Sequence, residues 1–449
     1  MNKGERVGAG FKPALTIMNF LLSLCAILPL MMANSVFFPF ITGKVVLLRF
    51  AITAVAILFL VVFIWDKSFK KQIHAKMQVL RRDPIFISVA AYFVIFTLSA
   101  FFAVNQYWAF YGSIERGEGV IGMLFFFGFF LFSILLFTMR EWRLFFKIGL
   151  PVAVILFIDA AVAASNGADR PSSFTGHPIY LGIYFLYIIF SSWIIYFSEE
   201  KNSFFWKIFA VAIIPFCLTG IAIAEARGAM VGFAVGLLIT LIYLALRGQQ
   251  IQWKGHSLRA IASTLLFLLF FSGGIFLITR QSSVWQSIPG IKRLAVISLK
   301  DNTTASRILT AKVALRSVDP REKNTDKLLL GWGPENFLIA WNKYYDPEIY
   351  QYDSASLDRA HNKLLDVLVM NGIFGLTAYL AVWLFAFKRL FVKNGPVETQ
   401  SALLFFGVSY FVQNLFVFDS VVTYTPFFAF LSFLIFKHAK AYTDAHEKT

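Results

Sequence analysis

The stretch Arg359-Ala360-His361-Asn362-Lys363-Leu364-Leu365-Asp366-Val367-Leu368-Val369-Met370-Asn371-Gly372 runs straight into 373–390, an apolar segment long enough to cross a bilayer. It follows the only long polar segment of the chain, so its polar head marks where a membrane helix begins. Leu364, Leu365, Leu368 and Gly372 fall near the i, i+3, i+4 spacing of one helical face, and His361 heads that face. Asp358 suits an N-cap, which predicts His361 and Asn362 in the first turn of the helix. A helix start carries free N–H groups and a partial positive charge. It attracts anions and holds a histidine toward its neutral, proton-accepting form. A neutral imidazole beside a phosphate site is what a glycosyl transfer needs as a base. The same residues also read as a polar collar where a helix enters the bilayer, and the stretch alone does not separate the two.

Outward from this stretch the whole chain has the same character. Of 449 residues, 58% are hydrophobic, 53 are Phe and only 15% are charged. Mean hydropathy is +0.69. No soluble domain needs that much apolar side chain, so the expected fold is an all-α, polytopic membrane protein. The net charge of +16 raises nucleic acid as a partner. The basic residues, however, sit mostly in short loops between apolar runs, which is the positive-inside pattern, so the expected partner is the lipid bilayer and not nucleic acid. Cys25 and Cys217 both lie in apolar runs, which predicts neither a disulfide nor thiol chemistry. No small-residue cleavage site follows the first apolar run, which therefore reads as a retained anchor.

Twelve spans are predicted, near 13–31, 45–65, 84–104, 120–139, 148–164, 179–197, 208–224, 229–246, 260–279, 373–390, 401–418 and 424–436. Lys3, Arg6 and Lys12, the run Lys67 to Arg82, and Arg140, Arg143 and Lys147 mark the cytoplasmic side, which puts both termini inside. The chain then divides into an N-terminal bundle over 1–279, an extracytoplasmic loop over 280–360 and C-terminal membrane helices over 361–449. Within the loop, 304–318 reads as a helix. Gly331-Trp332-Gly333-Pro334-Glu335-Asn336-Phe337 reads as a turn, because glycine and proline together break helix and strand.

This topology sorts the ionisable residues. His74, His256, His438 and His446 fall inside, and only His177 and His361 face outward. The outer face also gathers Arg116, Arg170, Arg227, Arg307, Arg316 and Arg359. An arginine near the membrane interior costs about 2.5–3.5 kcal/mol on insertion scales, so one kept there usually has a partner. A diphosphate suits, because the guanidinium fork binds phosphate oxygens in pairs. Arg227 is the sharpest case, since Glu225-Ala226-Arg227-Gly228 is too short a loop to lift it far from the bilayer. Its alternatives are snorkelling to headgroups or pairing with Glu225. For Arg116, Arg307 and Arg316 an exposed or lipid-facing role fits as well as a site. Asp159 has the option of pairing with an outer arginine. Trp332 and Trp341 suit an interface belt as well as a sugar platform. His177 precedes a proline at a span entrance and reads as structural. No metal-ligand spacing, P-loop or G-x-S-x-G element is present, so no metal and no cofactor is expected.

Four elements occur in a telling order: Ala226-Arg227-Gly228-Ala229 between two spans, Ser306-Arg307 opening the loop helix, Gly331 to Phe337, and His361-Asn362 followed after nine residues by Gly372. Together they resemble the O-antigen ligase and polymerase superfamily of integral membrane glycosyltransferases, most specifically over about 210–390. The Ser172 to Pro178 loop agrees more weakly. The resemblance implies a membrane-embedded glycosyltransferase fold of about twelve helices. It implies a glycan donor on undecaprenyl diphosphate, used on the outer side of a bacterial cytoplasmic membrane. Acceptors in the family are lipid A–core or a similar glycolipid, another repeat unit, or a protein. Family ligases are inverting and metal-independent. By position, His361 corresponds to the family's essential histidine and Arg227 to its essential arginine. Arg307, Arg170, Arg116, Arg359, Asn362 and Asn336 are the candidate contacts to diphosphate or glycan. A ligase is the first expectation and a surface-polysaccharide polymerase the near alternative. A transporter of lipid-linked glycan, with no chemistry, is the alternative from another class. Charges crowded on one face favour an enzyme, because a transporter needs them spread along a path through several spans.

Overall fold

A computed structural model describes residues 11–198, 203–248, 252–253, 256–288, 290–295, 301–354, 356–391 and 396–438. The predicted inside markers Lys3, Arg6 and His446 lie outside the described residues. Among the described residues the regular elements are helices apart from a two-residue antiparallel ladder joining Gln252–Trp253 to His256–Ser257. Among the described residues, ten helices are long and apolar enough to cross a membrane. In chain order the first nine membrane helices are α1 (Lys12–Leu30), α2 (Pro39–Trp65), α3 (Pro84–Phe101), α4 (Val120–Leu136), α5 (Met139–Ser165), α6 (Pro178–Ser198), α7 (Phe204–Ile223), α8 (Arg227–Arg247) and α9 (Leu258–Thr279). The loop helix α10 (Asn302–Ser317) follows, and then α11 (Lys363–Phe391), α12 (Val397–Asn414) and α13 (Val421–His438). The shorter α4 and the more polar α12 complete the set of twelve segments read from sequence, and each predicted span has its helix.

Packing sorts the helices by depth. The apolar windows of α6 and α13 are 89% buried inside the protein, whereas that of α9 is 6% buried and faces outward almost everywhere. In a bilayer the apolar drive between helices is weak, so close packing of side chains has to supply the cohesion. Here aromatic rings supply much of it. Trp142 meets Phe137, Phe146 and Phe433, and Trp383 meets Tyr410, Phe411 and Phe427, with ring centroids 5.0–6.0 Å apart. Cys25 and Cys217 are buried and free.

Four local expectations are corrected. The basic run 67–80 is a helix and not a loop, started by Asp66, whose carboxylate accepts from the Ser68 and Phe69 N–H groups. Arg140, Arg143 and Lys147 lie in the first turns of α5, which Thr138 and Glu141 start with a capping box. Asp358 does not cap α11. Asn362 does, its Oδ1 accepting from Leu364 and Leu365 N–H at 3.0 and 3.1 Å, so His361 stands just outside the helix. Asp358 is drawn instead to Arg116, a stronger, charged partner. The fully buried stripe of α11 is also not the leucine face. It holds Lys363, Asp366, Val367 and Met370, while Leu364, Leu365 and Leu368 are half-buried. Lys363 can point inward because Asp419 at 3.0 Å and the Tyr424 hydroxyl at 2.8 Å receive its ammonium.

Candidate active site

His361 has φ +53, a left-handed backbone that side chains rarely adopt. Such a conformation costs of order 1–3 kcal/mol and persists only where the surroundings impose it. The four residues around it do so, each fastened to a different part of the fold. Asp358 takes both Arg116 Nε (2.5 Å) and Nη2 (3.0 Å). Arg359 is buried against Glu118 (3.3 Å) and Glu335. The Ala360 N–H donates to Asp366 Oδ1 at 2.6 Å, and Asn362 Nδ2 donates to the Leu415 carbonyl at 3.0 Å. Between these ties the imidazole is left uncommitted. Its Nδ1 is buried and has no hydrogen-bond partner among the described residues. Its ring lies 5.2 Å from Phe418, and the Arg116 guanidinium lies 4.5 Å from the same Phe418 ring.

The Gly331–Phe337 turn is the second half of this mount. α11 breaks at Gly372 (φ 65), which frees carbonyls of the preceding turn. Two are taken up by the loop: Trp332 N–H donates to Val369 O at 2.8 Å and Gly333 N–H to Met370 O at 3.0 Å. A Cβ on Gly372 would lie 2.2 Å from Leu329 O, and one on Gly331 would lie 2.3 Å from Met370 C, so neither position has room for a side chain. Trp332 Nε1 donates to Ser317 O at the end of α10. Asn336 is fully buried and exchanges hydrogen bonds with the backbone of Asn105. Glu335, itself at φ +61, accepts from Ser113 N–H and holds Arg359. Trp332 and Trp341 are 4% and 1% exposed and form the core of the loop, so neither is an interface belt or a sugar platform.

A second cluster gathers at the start of α8. Arg227 is its first residue, and its Nη1 reaches Asp301 Oδ1 at 3.3 Å. Asp301 also caps α10 through Thr304. Glu225 pairs with Arg293 at 3.7 Å, not with Arg227. Arg170, at φ +147, and Arg307 stand in the electrostatic reach of Arg227. The Nε atoms of Arg170 and Arg227 are buried without a hydrogen-bond partner among the described residues. Burial, then Arg227 and Arg170, push the Arg307 pKa below its ordinary value. Four guanidinium groups thus crowd around three carboxylates, Asp301, Glu225 and Asp169, and an anion is what relieves such crowding.

The two clusters share one field. The His361 pKa is lowered to about 4, first by burial and then by Arg307, so the imidazole is neutral at pH 7. His177 is also lowered to about 4, by burial and then by Arg170, His361 and Arg116. His177 Nδ1 accepts from Ile179 N–H at 3.2 Å, and its ring lies tilted 5.1 Å from that of Tyr180. The loop before it is pinned by Lys44, whose ammonium donates to Met31, Phe40 and Phe174 carbonyls at 2.8, 2.5 and 2.7 Å.

With this geometry in view, comparison with protein families is informative. Residues 211–380 match the family described as O-antigen ligase. This match supports the O-antigen ligase superfamily as the family of the chain. The matched region holds Arg227, Arg307, the Gly331–Phe337 turn, His361 and Gly372, while Arg116, Glu118 and Arg170 of the same clusters lie before it. The match supports a ligase- or polymerase-like membrane glycosyltransferase. No curated protein matches the chain.

The structure therefore brings His361, Arg227, Arg307, Arg170 and Arg116 to one region. It separates the other candidates by what they already hold. Arg359, Asn336 and Asn362 are committed to protein partners. Arg316 lies away from the site, 59% exposed and paired with Glu322 at 2.9 Å. Asp159 makes no ion pair among the described residues. Sequence reasoning missed Arg293, Glu118 and Glu335. Glu335 sat in plain view inside the Gly331–Phe337 motif, where its charge in an otherwise uncharged turn was the available signal.

Proposed function

We propose that this chain transfers a glycan from a polyprenyl diphosphate, of the undecaprenyl class, to an acceptor hydroxyl on the outer side of a bacterial cytoplasmic membrane. The acceptor of a ligase is a membrane-anchored glycolipid of the lipid A–core type. The observation that carries this reading is the uncommitted imidazole of His361, set on a strained backbone beside an arginine cluster of excess positive charge.

In the reaction, the acceptor oxygen forms a bond to the anomeric carbon as the bond from that carbon to the phosphate oxygen breaks. The acceptor proton passes to His361, and the electron pair leaves with the diphosphate. Arg227, with Arg307 and Arg170, holds the diphosphate oxygens and offsets the charge that develops there. Arg116 sits on the other side of His361, over Phe418, where it orients more than it binds. A single displacement of this kind inverts the anomeric centre.

The direct test uses the purified full chain in lipid nanodiscs with an undecaprenyl-diphosphate-linked glycan and an acceptor glycolipid. Product formation by the parent protein and its loss in His361→Gln, with donor still bound, is the expected result. Movement of donor across a vesicle membrane with no product would replace the enzyme by a transporter.

A further inference from the structure

We infer that Arg359 is a positioning residue for His361, clamped between Glu118 and Glu335, and not a ligand of the diphosphate. This rests on the reading of His361 as the base. Three observations carry it. First, the guanidinium is spent: Nη2 reaches Glu118 at 3.3 Å and Glu335 more closely, and Nη1 donates to the Asp358 carbonyl at 3.1 Å. All three side chains are nearly sealed from solvent, at 4% exposure for the Arg359 side chain, 8% for Glu118 and 2% for Glu335. A guanidinium so enclosed by two carboxylates offers little to a further anion.

Second, the clamp grips the segment that needs gripping. Arg359 is two residues from His361, whose left-handed backbone is held only by its neighbours' ties. The other end of the clamp is anchored on both sides of the site. Glu335 belongs to the turn that pairs with the broken start of α11, and its second oxygen takes Ser113 N–H at 3.1 Å. Glu118 lies in the loop that also supplies Arg116 to Asp358. The clamp thus ties the segment before His361 to two other loops, one 24 and one 241 residues upstream.

Third, the clamp borders a space of its own, separate from the arginine cluster. Glu118, Glu335, Arg359, Lys363, Asp366 and Asp419 line a cavity of about 10 Å³, with room for about one water-sized sphere. Asp366 Oδ2 lies there buried without a partner among the described residues. A polyprenyl diphosphate has no room in it. Burial first, and then Glu335 against the pull of Arg359, raises the Glu118 pKa to about 7. The groups facing it are Arg359, Glu335, Arg116 and Lys363.

Positioning and ligation predict different kinetics. In nanodiscs, Arg359→Lys keeps the charge but has one nitrogen on a shorter reach, so it cannot hold both carboxylates and the Asp358 carbonyl together. It should leave the affinity for undecaprenyl-diphosphate glycan within about two-fold while kcat falls by roughly 100-fold, the scale of a base displaced by about an ångström. Glu335→Gln should show the same split. Because a buried charge left unpaired can unfold the protein, the triple neutral variant Glu118→Gln, Arg359→Gln, Glu335→Gln is the companion. It should be monodisperse and still slow. A drop in donor affinity of ten-fold or more with unchanged kcat in Arg359→Lys would make Arg359 a ligand and overturn the inference, as would unchanged values of both. A second readout needs no activity. Diethylpyrocarbonate labelling of His361, followed by mass spectrometry, should change rate several-fold in Arg359→Lys if the clamp sets its pose, and an unchanged rate sinks the clamp. Should His361→Gln turn over normally, the base reading fails, and the labelling still decides the clamp.

Discussion

The two clusters at the site are built by opposite rules. Around His361, Asp358, Arg359, Ala360 and Asn362 are all tied to other loops or helices, and three of the four ties involve a carboxylate. Around Arg227, one guanidinium contact of 3.3 Å and another pair at 3.7 Å are the ion pairs among the described residues, and two Nε atoms stay unpartnered. A rigid mount suits a group that must hold a reacting proton at a fixed place. A loose, over-positive cluster suits a ligand that brings its own negative charge and completes the network when it binds.

The largest effect should come from the mount. His361→Gln keeps size and polarity but cannot accept a proton. It should cut transfer by about 10²–10⁴-fold, the usual contribution of a positioned base, with donor binding retained in a filter or fluorescence assay. Near-normal turnover would leave His361 a packing residue. Next comes the loose cluster, where the defect should appear in binding. Arg227→Lys loses the paired hydrogen bonds, and each hydrogen bond to a charged group is worth about 1.5–3 kcal/mol. Donor affinity should therefore fall by about ten- to a hundred-fold, with normal membrane levels by immunoblot. Unchanged affinity would return Arg227 to its ion pair with Asp301 alone.

The same contrast decides what was legible in the sequence. Apolar runs and basic loops placed every membrane helix, because burial in lipid acts on each segment by itself. The glycine-rich turn and the residues around Arg227 and His361 were legible too, since glycine, arginine and histidine are unusual where they stand. What could not be read were choices among partners. Asp358 had a local option, capping α11, and a distant one, Arg116, 242 residues away. The distant option won because it is ionic and enclosed. Arg359 looked like one more outward arginine until folding placed Glu118 and Glu335 around it. Trp332 and Trp341 looked like surface aromatics because a single sequence does not show that the loop has its own core.

The mount also makes a prediction about stability. Gly372→Ala would put a side chain on a φ of +65 and against Leu329 O at 2.2 Å. It should destabilise by about 1–3 kcal/mol, read as a lower Tm of the detergent-solubilised protein. Gly273 in α9 has nothing within 4 Å of a built Cβ, and Gly273→Ala should stay within about 0.5 kcal/mol of the parent. Equal Tm values for the two variants would mean that the break in α11 is not strained.

The smallest effect tests whether the two clusters are coupled at all. A base works in its neutral form, so activity falls as pH drops through the pKa of the imidazole. With His361 held to about 4, the limb of kcat/KM that belongs to the base should fall near 4, far below the ordinary histidine value of 6.5, and a change between pH 7 and 5 belongs to Glu118 of the clamp. After burial, the largest cause of that lowering is Arg307, whose positive charge disfavours the imidazolium. Arg307→Gln removes the charge, so the imidazolium becomes less costly and the pKa of His361 rises. The acid limb should then move to higher pH, whatever loss of donor binding lowers the plateau. The position of the limb, not its height, is the measurement. A limb that stays in place, or moves to lower pH, would mean that the field of the arginine cluster does not reach the base and that the mount alone sets its proton affinity.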